Sequence, residues 1–245
     1  MKKLAHVLAA VLVLLARAGA QARQDTVRFE TSDGCVLEAF YQQPSSGSYV
    51  FINAHGLGSS KNEWASFQEE LKKAGYGYLS LDLRGHNAST VCGGVETTYR
   101  NFSKTDWNNA SRDITAAAAW LEAKGISPGR QIFCGASIGA NLSLKAVAEG
   151  ARKPAAVVLL SPGLEYAGVN IKDYFTAPVN YPVLVAASDN DPYSWRSSAQ
   201  LINISGANGP RPDFLNGKGG HGVNMFKNPG ILNAVVKWVK KKVGR

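Results

Sequence analysis

Cysteine, histidine and methionine are scarce in this chain: its 245 residues include 3 Cys, 4 His and 2 Met. The cysteines show no paired Cys-x-x-Cys spacing and the histidines no His-Glu-x-x-His run, so no metal site is expected. No motif calls for an organic cofactor either. Internal repeats and low-complexity blocks are missing, and a composition 45% hydrophobic and 18% charged is that of an ordinary globular protein. Acidic residues number 18 against 27 Lys and Arg, giving a net charge of +9. The basic residues are scattered, apart from Lys237, Lys240, Lys241, Lys242 and Arg245. All but the last lie in one amphipathic stretch, Ile231 to Val243, which reads as a solvated helix face. No nucleic-acid motif accompanies it, so no nucleic-acid partner is expected.

Long apolar runs are missing too, with one exception at the N-terminus. Lys2 and Lys3 precede an apolar run from Leu4 to Ala16, broken only by His6. Its ~13 residues fall short of the ~20 that span a bilayer. Small residues follow at signal-peptidase spacing, Ala18-Gly19-Ala20 or Ala20-Gln21-Ala22. Residues 1–22 therefore read as a secretory signal peptide and 23–245 as one domain, secreted or periplasmic. No cysteine stands near the cleavage region, so no lipid anchor is expected and no stable membrane anchor remains after cleavage.

Beyond the signal, the pattern alternates. Thr26 to Thr31 and Cys35 to Tyr41 flank the turn Ser32-Asp33-Gly34 as a β-hairpin. Strands are then expected at Tyr49–Ala54, Tyr78–Asp82, Gln131–Gly135, Ala155–Leu160, Val183–Ala187 and around Phe214-Leu215. Between them the spacing predicts helices over about Asn62–Ala74, with Trp64, Phe67 and Leu71 on one stripe, and over Asp106–Lys124 and Ser137–Glu149. A last helix is expected over Pro229–Val243. Strands alternating with helices predict an α/β fold, a mostly parallel twisted sheet covered on both faces. Chemistry in such sheets gathers at the carboxyl ends of the strands.

There stands Gly135-Ala136-Ser137-Ile138-Gly139, directly after a strand and directly before a helix, the setting of a nucleophile elbow. A serine hydroxyl needs a base to take its proton, and His221 in Gly219-Gly220-His221-Gly222 is the only histidine after Ser137. The acid that orients the imidazole is expected in Ser188-Asp189-Asn190-Asp191-Pro192, with Asp191 preferred to Asp189 and Glu165 a distant third. One of the pair is expected to cap the next helix. Two backbone amides are expected to hold an oxyanion, those of Ile138 and of Leu57 in His55-Gly56-Leu57-Gly58.

Taken in order, these motifs and Asp82-Leu83-Arg84-Gly85-His86 resemble the successive signatures of the α/β-hydrolase superfamily. They are most similar to its small serine esterases and dienelactone-hydrolase-like members, and the resemblance runs from Thr26 to Val243. Dienelactone hydrolases proper use a cysteine nucleophile, so their substrate is not implied here. The resemblance implies an α/β-hydrolase fold of about eight strands with no lid domain, since the segment Ser161–Tyr181 allows only a short cap bearing Tyr166, Tyr174 and Phe175. It also implies carboxylesterase-like acyl transfer on a small-molecule ester. A serine peptidase or amidase on the same triad, or a non-catalytic binding protein, stands as the alternative. Asp82, Arg84 and His86 look structural. In the superfamily's strand order the second strand lies beside the fourth, which implies a Cys35–Cys92 disulfide and leaves Cys134 as a buried strand thiol.

Overall fold

The computed structural model describes residues 24–150, 153–176, 179–208 and 211–244. The expected signal peptide, residues 1–22, lies outside the described residues. Among them no helix is long and apolar enough to cross a membrane.

In chain order, the strands are β1 (Asp25–Glu30), β2 (Cys35–Gln42), β3 (Val50–Ala54), β4 (Gly77–Leu81), β5 (Val91–Cys92) and β6 (Val95–Glu96), then β7 (Gln131–Ala136), β8 (Ala156–Leu160), β9 (Glu165–Tyr166), β10 (Val169–Asn170), β11 (Val183–Ala187) and β12 (Asp213–Asn216). The helices are α1 (Ala65–Lys73), α2 (Lys104–Asn109), α3 (Ser111–Ala123), α4 (Ile138–Glu149), α5 (Pro192–Asn208) and α6 (Pro229–Val243). One twisted sheet runs β12-β11-β8-β7-β3-β4-β2-β5-β6, with β1 also on β2. From β12 to β4 every pairing is parallel, and β1, β2, β5 and β6 join antiparallel. The expected strands are joined by the hairpin β5–β6, whose two-residue strands bring the sheet to ten.

Alternate residues of the central strands feed two separate cores, because side chains along a strand point to opposite faces. Val50, Ile52, Phe133, Val157 and Leu159 pack on one face with α3, α4 and Leu201 of α5. Phe51, Ile132, Cys134, Val158 and Leu160 pack on the other with Phe67 and Leu71 of α1 and Val235 and Val239 of α6. The stripe predicted on the first helix is real: Trp64, Phe67 and Leu71 are fully buried. The helix predicted over Asp106–Lys124 is two helices. Ala110 accommodates the break while Ser103 and Asp106 form a capping box on the first.

Two devices hold the long segment after β4. Cys35 and Cys92 pair across β2 and β5 and form a disulfide, and Cys134 is a free, buried thiol. Arg84 is nearly buried and donates to Asp113 Oδ1 at 2.7 Å and to both oxygens of Asp33, at 2.8 and 3.0 Å. Partial burial would raise the Asp33 pKa, but the bonds from Arg84, Thr31 and Arg112 outweigh it and hold the carboxyl well below the usual range.

Candidate active site

Ser137 stands between β7 and α4 at φ 55°, ψ −123°, a strained conformation for a residue with a Cβ. The flanking glycines are required by close approach. A Cβ on Gly135 would overlap the Gly139 carbonyl, and one on Gly139 would overlap that of Ala54. The turn leaves Ser137 half-buried in an open cleft of about 860 Å³ that Gly56, Leu57, Glu63, His221 and Phe226 also line.

His221 follows β12, and its Nδ1 lies 2.6 Å from Asp191 Oδ2. The other Asp191 oxygen accepts the Ser194 amide at 3.5 Å at the start of α5, so this residue both faces the imidazole and caps the helix. Asp189 is exposed and has no partner among the described residues. Burial acts to raise the Asp191 pKa, but hydrogen bonds from Ser194 and His221 bring it below the ordinary value. The neighbouring Gly222 amide donates to Ser161 Oγ at 2.9 Å, which fixes the backbone beside His221. His221 Nε2 makes no hydrogen bond among the described residues. Contacts of this kind commonly tighten only when substrate is bound.

The loop after β3 carries Leu57, more than half exposed, which also lines the cleft. Its course is set by three side chains. The Gly56 amide donates to Glu63 Oε1 at 3.0 Å, the Gly58 amide to His86 Nε2 at 3.2 Å, and His55 Nδ1 donates to the Gly56 carbonyl at 2.7 Å. His55 is fully buried, which lowers its pKa to about 3, and its Nε2 accepts the Leu83 amide, so it is a neutral structural ring. Burial lowers His86 as well. The amides of Leu57 and Ile138, the latter opening α4, have no hydrogen-bond partner among the described residues. Donors of this kind remain free to meet a negative oxygen.

The sequence reading therefore names residues that the fold brings to the carboxyl ends of the parallel strands: Ser137, His221, Asp191, Leu57 and Ile138. It placed Ser161 among the residues after a strand but gave it no role, it did not single out Ser194 or Glu63, and it named Tyr166 only as a cap residue. No periodicity or motif marks them, because the contacts Tyr166–Ser194, Ser194–His221 and Ser161–Gly222 span 28, 27 and 61 residues of sequence. Among the described residues no group of three or more His, Cys, Asp or Glu side chains could hold a metal ion.

Residues 47–178 match the family described as serine aminopeptidase, S33. The chain belongs to the S33 family. It is an α/β-hydrolase, and the fold is that of solved hydrolases. An esterase of Pyrococcus furiosus superposes with a TM-score of 0.71 at 18% identity, covering 91% of this chain and 94% of that one. The dienelactone hydrolase of Anabaena variabilis gives a TM-score of 0.65 at 20% identity, covering 91% and 97%. The esterase domain of a Rhodothermus marinus protein gives 0.64 at 17%, covering 91% and 100%. No curated protein matches the sequence. Among the described residues the segment between β8 and β11 holds the small hairpin β9–β10 and one 3₁₀ turn, Lys172–Phe175, and no lid domain.

Proposed function

We propose that this S33 hydrolase is an exported serine esterase that cleaves small carboxylic esters through Ser137, His221 and Asp191. The observation that carries the reading is the 2.6 Å contact between Asp191 and His221 beside a strained Ser137 in the same cleft. His221 takes the Ser137 proton, Ser137 Oγ attacks the carbonyl carbon, and Asp191 stabilises the imidazolium. The Leu57 and Ile138 amides hold the oxyanion. The imidazolium then protonates the departing alkoxide, and water releases the acyl group by the same route. No cofactor is required. The small cap and open cleft favour small or extended esters, and the solved esterases of the same fold support ester chemistry. Export rests on the signal pattern of residues 1–22 and on the Cys35–Cys92 bond, a link that persists in oxidising compartments.

The family match favours one second reading, hydrolysis of an amide in a peptide by the same triad. The two separate in one assay. Wild type and Ser137→Ala are compared on p-nitrophenyl esters from acetate to palmitate and on aminoacyl p-nitroanilides. Short esters are expected to be cleaved, with Ser137→Ala reducing turnover on the order of 10⁴–10⁶-fold. Turnover of anilides alone would favour the peptidase, and a variant that keeps its rate would remove the triad.

A further inference from the structure

The hairpin β9–β10 is more rigidly held than a four-residue ribbon needs to be. The buried Asn141 of α4 clamps both of its arms, donating to the carbonyls of Gly163 and Val169 at 3.0 and 2.9 Å. Asn108 donates to the Gly168 carbonyl at the tip, and the Tyr193 hydroxyl of α5 donates to the Glu165 carbonyl at 2.6 Å. What this holds in place is Tyr166. Gly163 makes room for its ring, since a Cβ there would come within 2.7 Å of it. The ring stands edge-on to His221, centroids 6.3 Å apart. Its hydroxyl lies 2.9 Å from Ser194 Oγ and 3.3 Å from the Ser161 carbonyl. Ser194 is fully buried, with Oγ 3.5 Å from His221 Nδ1. Burial pushes the phenol up to about 12, so it keeps its proton and can donate.

Its position decides what it can donate to. The loop after β3 that carries Leu57 comes close to Ser137, where a Cβ on Gly56 would lie 3.5 Å from the Ser137 Cβ, whereas Tyr166 contacts Ser194 and His221. At a tetrahedral carbon on Ser137 Oγ, the oxyanion points to Leu57 and Ile138, and the remaining ester oxygen points away from them. We propose that Tyr166 is a further catalytic residue: its phenol hydrogen-bonds the leaving-group oxygen as negative charge builds there. The proton that completes the alcohol still comes from the His221 imidazolium. The phenol keeps its own. Ser194 is a positioning residue that anchors the phenol from behind.

This rests on the esterase reading, and the experiment separates the two. Acetate esters with leaving groups from p-nitrophenol to simple alkanols are compared by kcat/KM, which reports acylation. Tyr166→Phe removes one oxygen and keeps the ring. It is expected to cost little on p-nitrophenyl acetate and on the order of 10²-fold on alkyl acetates, because a donor to developing charge matters most where the charge is most basic. Ser194→Ala is expected to show the same trend more weakly, and it keeps the proposal falsifiable if Tyr166→Phe does not fold. Equal loss on every ester, or none, would overturn the role of Tyr166 while leaving the triad intact. A wild type inactive on all esters, or a fully active Ser137→Ala, would overturn both.

Discussion

Asp113 and Asp191 each face a nitrogenous partner, yet the two regions are built in opposite ways. Asp113 is fully buried and meets Arg84 with both oxygens, at 2.7 Å to the guanidinium and 2.8 Å to the backbone amide. The rest of the Arg84 fork is taken by Asp33. Asp191 puts one oxygen on His221 and one on a helix N-terminus, and the His221 side chain remains 44% exposed with Nε2 unbonded among the described residues. A buried charge pair is tolerable only when nearly every donor and acceptor is satisfied. A proton-transfer pair must instead leave one nitrogen open to the cleft. Saturation marks the Asp113 pair, and an open nitrogen marks the Asp191–His221 pair that we propose is catalytic.

That contrast can be broken from either side. The largest effect is expected at the open pair. Asp191→Asn, which keeps the shape but disturbs the imidazole tautomer, should lower kcat on the order of 10⁴-fold with little change in melting temperature. Asp189→Asn in the same loop should leave activity unchanged, and the reverse result would move the acid to Asp189. Next, Asp113→Ala strands a buried guanidinium and should cost about 3–5 kcal/mol of stability in urea unfolding. An effect within experimental error would mean that Asp33 alone satisfies Arg84.

The disulfide sharpens the comparison in the same region. Replacing Cys35 and Cys92 together by Ser opens a link spanning 57 residues and should cost about 2–4 kcal/mol, read as a lower unfolding midpoint. The smallest effect is on pH dependence. Asp33 and Glu38 both have depressed folded pKa values, by Arg84 and by Lys61 and Arg28 against the opposing effect of burial. Their stabilisation is present above the unfolded carboxylate pKa of about 4 and fades as pH falls below it, so the melting temperature should decline on acidification below that point. Asp33→Asn should flatten this decline, and an unchanged profile would assign acid sensitivity to other carboxylates.

Much of the site was legible because the chemistry is written in short, local patterns. Gly135 to Gly139 must make one turn between a strand and a helix, and His221 is the only histidine that follows it. Strand existence was equally plain wherever five or six apolar residues run together. Hairpin β5–β6 was not, since strands of two residues, Val91–Cys92 and Val95–Glu96, are too short to show a period. The break at Ala110 was hidden too, because a run of alanine and polar residues satisfies helical spacing on both sides of it.

By itself the sequence determined the class of fold, from strands and helices that alternate along the chain, and the elbow Gly135–Gly139, because these patterns depend on residues within a few positions of one another. Only the tertiary structure shows that Asp191 rather than Asp189, two residues earlier after the same strand, contacts His221. The turn into α5 points one at the imidazole and the other at solvent. It likewise decided that Tyr166 and Ser194, 28 residues apart, meet beside Ser137. A hydrogen bond across that separation has no local signature, since it exists only once the sheet has set the spacing between β8 and β11.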